Sequence, residues 1–228
     1  MKYVKWFLIL TFLYSCSSNN NEIIKEKNLS FQKKEQLRIK KNKIKSITIF
    51  EYGYKFGKIE NEEELYSIQY FDTNGCETET QEVFRDNKVP TVKYFHSYDS
   101  LGRRIKTTDE LYVNNNEPYT IKNYRYDEKG NISETVDYYM DGDLAWKNVY
   151  YYDVNNLLIE ITSNNEKLIE FDYDSSKNMI RTTEYKTFFE KDYIEVWNYK
   201  YDNDKIFEAI EYDKGEPYKI RKYSYQYY

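Results

Sequence analysis

Six aspartates recur along the chain, Asp72, Asp99, Asp127, Asp153, Asp174 and Asp202, at intervals of 27, 28, 26, 21 and 28 residues, and an aromatic ring directly precedes each. Repeated carboxylates invite a reading as calcium ligands, but calcium gathers about six to eight oxygens, usually with several carboxylates from one loop. Here each site supplies one Asp, with an occasional second such as Asp204, and turn capping accounts for them. His96 is the single histidine. A zinc site would need further ligands beside it and a nucleophile would need it close by, so it reads as a packing residue. Cys76 follows Gly75 in the first turn and is read as a free thiol. Glycoside hydrolysis requires two carboxylates across a cleft, and with 39 acidic residues pairs such as Glu160 and Glu170 meet by chance. No phosphate loop, dinucleotide fingerprint or HExxH motif occurs. The residues name no catalytic group, no metal centre and no cofactor, and the chain reads as a non-enzyme.

The surplus is in aromatics, which make up 19% of 228 residues, with 28 tyrosines. Tyr and Trp offer rigid contact area with a polar tip, suited to protein recognition and to stacking on sugar rings. Trp146 stands beside a variable turn, and Trp197 lies at the edge of the pair Tyr199 and Tyr201. These four are the candidate binding residues. Packing is the first reading of both tryptophans, and Trp146, if solvated, is the first binding residue to test.

The elements that position these groups follow from the repeat. Two places before the aromatic that precedes each Asp stand Gln69, His96, Tyr124, Tyr150, Phe171 and Tyr199. Side chains two apart share one face of a strand, so the repeat lays an aromatic ladder along one side of a sheet. Asp then opens a turn by accepting backbone N–H bonds. Gly75, Gly102, Gly130 and Asn156 sit third after it and suit the left-handed position, Lys177 takes that place in the fifth copy, and the sixth copy is one residue short. Ile105, Ile132, Leu158 and Ile180 begin the returning strands. Second turns at Asn114–Pro118, Asp141–Asp143 and Asp213–Pro217 lead into the next copy. A last copy, Tyr223-Ser224-Tyr225, puts Gln226 in the Asp slot. The predicted fold is all-β, an antiparallel meander of hairpin repeats with about 12–14 strands of ordinary length, forming a long, twisted or curled sheet. The opening strand is predicted over 44–56. An aromatic ladder of this length does not stay wet without reason. Of two outlets, the sheet curling until that face closes on itself is preferred to a face left open for binding.

Composition sets the remaining bounds. The aromatic content excludes a disordered chain, and two cysteines exclude a disulfide scaffold. Residues 21–45 carry nine Lys/Arg against three Glu, whereas the rest of the chain is acidic, which argues against nucleic acid as a partner. At the N-terminus Lys2 and Lys5 precede the apolar run Trp6–Tyr14, too short to span a bilayer. Leu13-Tyr14-Ser15-Cys16 resembles the lipobox of bacterial lipoproteins. That resemblance implies a signal peptide over 1–15, acylation of Cys16 and a membrane anchor, with a basic polar tether over 16–42 and the repeat domain over 43–228. Ser17, in place of an Asp, points to the outer membrane.

The phrase Tyr124-Arg125-Tyr126-Asp127-Glu128-Lys129-Gly130-Asn131-Ile132 resembles the YD repeat of RHS-type surface proteins, and Tyr98–Arg103 resembles it nearly as well. The resemblance covers about 66–228 and weakens at Asp153, Asp174 and Asp202, where the turn glycine is missing. In large members of that group the repeats wind a sheet into a shell around a toxic C-terminal domain. This chain has fewer copies of a longer period and no different domain after them, so the resemblance implies hairpins and an extracytoplasmic setting without implying a toxin. The Tyr-, Asn- and Lys-rich composition is similar to that of Bacteroidetes lipoproteins. The functional expectation is a lipid-anchored envelope protein, on the periplasmic or surface face, acting as a non-catalytic binding or structural module for a protein or glycan. The alternatives are a glycan hydrolase of the envelope and an immunity-type lipoprotein that neutralises a toxin.

Overall fold

The computed structural model describes residues 29–60, 63–83, 91–111, 117–188, 191–213 and 215–228. The signal peptide, Cys16 and the tip of the turn at 114–116 lie outside them. One helix, α1 (Phe31–Lys41), precedes the strands β1 (Ile44–Lys55), β2 (Lys58–Ile59), β3 (Glu64–Phe71), β4 (Glu77–Glu82), β5 (Val92–Tyr98), β6 (Arg104–Leu111), β7 (Glu117–Tyr126) and β8 (Ile132–Tyr139). They continue as β9 (Leu144–Tyr152), β10 (Leu158–Ser163), β11 (Glu166–Tyr173), β12 (Met179–Phe188), β13 (Lys191–Asp202), β14 (Lys205–Asp213) and β15 (Glu216–Tyr227).

Consecutive strands from β3 to β15 pair antiparallel, and β1 pairs with β3 on one side and with β15 on the other, in register from Ile44↔Tyr227 to Gly53↔Lys219. The result is a closed barrel of fourteen strands, with the two-residue β2 attached at the end of β1. The antiparallel all-β construction stands, but the expected long, twisted or curled sheet is corrected, because the sheet has no free edge at β1 or β15. Closure removes two rows of unpaired backbone groups and takes the aromatic face out of water. The strand that completes the barrel was hidden in sequence because β1 lacks the repeat phrase. β1 stands as the return strand of the final copy, with Ile44 and Ile47 in the places that Leu158 and Ile161 occupy in another. A register shift follows the first residue of each pair.

The turns behave as their chemistry dictates. Asp72 Oδ1 accepts from the N–H groups of Asn74 and Cys76 at 2.8 and 2.9 Å, and Asp153 Oδ1 from those of Asn155 and Leu157 at 2.8 Å each. Gly75, Gly102, Gly130, Asn156 and Lys177 all have φ between 60° and 80°.

α1 falls inside the segment read as tether, and it is packed. Ser30 caps its N-terminus, its Oγ accepting from the Lys33 N–H at 3.3 Å, and Arg38, Lys40 and Lys41 lie favourably in its last turn. The helix closes the barrel end that carries the Asp turns. Phe31 joins one apolar cluster with Leu158, Ile161, Ile169, Phe171 and Met179, and Ile39 joins another with Ile44, Ile47, Ile49 and Phe71. Polar ties fix it to the rim: the Phe31 N–H donates to Asn131 Oδ1 at 2.9 Å, Gln32 Nε2 to Tyr152 Oη at 3.1 Å and Asn42 Nδ2 to Asp204 Oδ2 at 3.1 Å.

Candidate functional site

The aromatic ladder faces the lumen and is spent on the barrel itself. The tyrosine before each Asp donates its hydroxyl to a backbone carbonyl of the preceding copy: Tyr98 to Glu77 at 2.7 Å, Tyr152 to Ile132 at 3.0 Å, Tyr173 to Leu158 at 2.8 Å and Tyr201 to Met179 at 2.8 Å. Tyr225 of the final copy does the same to Ile206 at 2.8 Å. The acceptor opens a return strand in the first four cases and is the second residue of β14 in the last. The second ring of each pair meets a threonine, as Tyr124 Oη meets Thr107 Oγ1 at 2.8 Å and Tyr199 Oη meets Thr182 Oγ1 at 3.1 Å.

What fills the space behind these rings changes around the barrel. The return strands open with Glu77, Arg104, Ile132, Leu158 and Met179, and Ile206, second in β14, is the acceptor in the next copy. Later copies therefore fill their share of the lumen with apolar side chains, whereas the first two place an ion pair there, Arg104 Nη2 lying 2.6 Å from Glu77 Oε2. Two residues ahead of the aromatic pair, on the same face, stand Tyr94 and Lys122 in the second and third copies but Ile169 and Trp197 in the fifth and sixth. The polar half is not filled. A cavity of about 220 Å³ lies under α1, lined by the apolar Phe31, Ile39, Phe71 and Leu158 and by the polar Glu77, Glu82, Tyr94, His96, Arg104 and Lys122.

Burial governs the electrostatics of this chamber. It pushes the Glu82 carboxyl up to about 8, against the opposing pull of the Tyr94 hydroxyl, which lies 3.3 Å away, and of Lys122. It drives His96 down to about 3, with Arg104 adding to the effect, so the imidazole is neutral. Burial also raises Glu77, but the Arg104 charge, helped by the Thr80 hydroxyl, more than offsets this and holds it below the ordinary carboxylate value. Asp137 is pushed up to about 6 by burial and pulled back by Lys122, whose Nζ is 3.6 Å from its Oδ1.

The residues singled out in sequence are scattered. Trp197 is 1% exposed, and the Arg221 guanidinium lies between its ring at 3.9 Å and that of Tyr66 at 3.8 Å. Tyr199 and Tyr201 are bonded within the ladder, so these three are interior to the wall and apart from the chamber lining. Trp146 is half-buried and edge-on to Tyr139, with centroids 6.2 Å apart. His96 keeps its packing slot but also lines the chamber. Glu160 and Glu170 are direct cross-strand partners bridged by Lys167, which lies 3.3 Å from Glu160, an exposed ion cluster. Burial and then Asp72 raise the Cys76 thiol, which disfavours a thiolate. Among the described residues no group of three metal-ligating side chains gathers. Sequence reasoning missed Glu77, Glu82, Tyr94, Arg104 and Lys122. The available signal was an ionised residue in a repeat slot that other copies fill with Ile, Leu or Met.

No protein-family model matches this chain, and no curated protein does. Among solved structures it is similar to a porin-like protein from Bacteroides uniformis, at 10% identity over 81% of this chain and 97% of that one, with a TM-score of 0.45. It is also similar to the crystal structure of TcdB2-TccC3-TEV, at 15% identity over 67% of this chain, with a TM-score of 0.35, and it spans 8% of that chain's length. Likeness this distant leaves the function to be argued from the chain's own residues.

Proposed function

We propose that this chain is a lipid-anchored protein of a bacterial cell envelope whose barrel is a non-catalytic binding module, with the ligand housed in the lumen. The observation that carries the reading is the half-empty chamber. The same repeat fills the lumen with apolar side chains in its later copies and leaves a cavity lined by buried polar groups in its earlier ones. Default ligand sites have this character, apolar walls with a few convergent polar groups.

The barrel stands in water beside the membrane in this reading. Its outer wall carries exposed ion pairs, Arg125 with Glu134 at 2.8 Å, Lys200 with Glu208 at 2.7 Å and Lys167 with Glu160 at 3.3 Å. Lysine or arginine facing hydrocarbon costs about 2–4 kcal/mol each near the midplane. The anchor is Cys16, and α1 plugs the end at which the tether arrives, so the Asp-turn end faces the membrane. Metabolic labelling with palmitate tests the anchor: label lost in Cys16→Ala supports it, and label retained sinks it. Native mass spectrometry of the chain isolated from its cells tests the lumen, where a retained small molecule is expected.

A hydrolase remains the second reading because Glu77 and Glu82 line one chamber with displacements of opposite sign, the arrangement that separates an ionised carboxylate from a protonated acid. Turnover of a glycoside lost in Glu82→Gln would favour it over simple binding.

A further inference from the structure

The chamber beneath α1 holds polar groups that the barrel's own hydrogen bonds leave over. Resting on the reading of the lumen as a binding site, we propose that its ligand is a neutral polyol of about the size of a single sugar ring, held between the apolar face of α1 and the polar wall of β4 to β7.

Charge balance excludes an ionic occupant. Arg104 is paired with Glu77 at 2.6 Å and Lys122 with Asp137 at 3.6 Å, so neither cation is held in reserve for a ligand anion. Glu82 is the remaining acid of the wall, and its burial keeps it protonated near neutral pH. A charged ligand would enter a low-dielectric space without a counter-ion, at a cost of several kcal/mol. A neutral one escapes that cost.

Unmet hydrogen bonds then choose the functional groups. His96 Nε2 is buried with no hydrogen-bond partner among the described residues, its side chain 5% exposed and 3.9 Å from Glu77 Oε1. His96 Nδ1 lies 2.9 Å from Thr107 Oγ1, which in turn meets Tyr124 Oη at 2.8 Å. Either tautomer leaves Nε2 unanswered, a donor when the ring hydrogen sits there and an acceptor when it sits on Nδ1. From the helix side, Gln32 Oε1 is a buried acceptor without a donor. One kind of group answers both, a hydroxyl, which accepts and donates at once. A hydrocarbon answers neither, and leaving such groups unpaired is costly. The apolar wall of Phe31, Phe71 and Leu158 offers a surface for the C–H face of a ring.

The test is calorimetric titration of the lipidated full chain in detergent micelles with neutral hexoses and pentitols, alongside hexuronates and amino sugars of similar size. Saturable binding of at least one neutral polyol is expected, weakened tenfold or more in His96→Phe. Phenylalanine already fills the equivalent slot as Phe171, so the variant should melt cooperatively like the parent. Binding confined to the charged sugars overturns the proposal, and so does neutral binding that His96→Phe leaves untouched. If no polyol titrates while native mass spectrometry shows another molecule retained, the ligand class is wrong and the lumenal reading survives. If nothing titrates and nothing is retained, both fall.

Discussion

Gly75 is where the helix and the barrel rim meet most closely, and three glycine-to-alanine changes would measure that contact. Gly75, Gly130 and Gly142 all have left-handed φ, +80°, +79° and +93°, so alanine carries a common strain of about 1–2 kcal/mol at each. Their surroundings differ. A Cβ on Gly142 meets nothing within 4 Å, one on Gly130 finds Ser30 Cβ at 3.7 Å in ordinary contact, and one on Gly75 lands 2.0 Å from the Gln36 carbonyl oxygen. That oxygen belongs to helix backbone, whose ladder bonds hold it in place, so α1 must move bodily by roughly 1 Å or leave. Leaving exposes Phe31 and Ile39, at about 1.5–3 kcal/mol each, which sets the ceiling on the extra cost. Gly142→Ala and Gly130→Ala should therefore lose about 1–2 kcal/mol in urea unfolding, and Gly75→Ala at least about 2 kcal/mol more. Limited proteolysis should cut within 31–43 in Gly75→Ala alone. Equal losses in all three variants, with α1 equally protected, would refute the docking of the helix against the first turn.

Three further perturbations probe the lumen. Tyr152→Phe and Tyr173→Phe each delete one hydroxyl-to-carbonyl bond of the ladder, 3.0 and 2.8 Å long, and should cost about 1 kcal/mol by urea unfolding, whereas outward Tyr151→Phe should cost about 0.5 kcal/mol or less. Glu82 binds its proton more tightly folded than unfolded, its value rising from 4.5 to about 8, so its contribution to stability is complete below pH 4.5 and is lost as pH rises through 8. Stability measured across that window should fall with pH, and Glu82→Gln should flatten the slope; a variant as steep as the parent would contradict the burial argument. Arg221→Met strands Glu51, whose Oε2 it holds at 3.0 Å, with only Lys219 at 3.8 Å to compensate. A loss of about 3–5 kcal/mol is expected, and Glu51→Gln in the same chain should recover much of it.

Local chemistry was legible in the sequence wherever one copy of the repeat contains all the partners. Asp72 and Asn74 lie within one turn, and Tyr124 and Tyr126 share one strand, so the turns, the hairpins and the side of the ladder could be read from spacing. Closure of the aromatic face is expected from its burial, but the strands that join could not be read, because β1 and β15 are linked by no phrase, only by register across the whole chain. The chamber was hidden for a related reason. Asp turns and tyrosines repeat and draw the eye, whereas Glu77 and Arg104 break the pattern at a slot that reads as the start of a strand. The basic stretch reads as a solvated, partly helical tether, and it is the packing of α1 that charge obscured, since Phe31 and Ile39, eight apart, make the buried stripe.

The position of the hollow follows from how such a barrel is assembled. From the second copy onward each copy ties to the one before it through a tyrosine, and this ladder tolerates any inward residue near the strand start, the acceptor there being backbone. Side chains at that slot are free to vary without breaking the ladder. The last copy has no such freedom, because β1 must complete it, and Ile44, Ile47 and Ile49 bring an apolar surface to that seam. The same seam carries a charged tie, since Glu51 and Arg221 are direct cross-strand partners 3.0 Å apart. The chamber's polar groups, Glu77, His96, Arg104 and Lys122 on β4 to β7, stand on strands that take no part in the closing pair, the first of them two strands from β1.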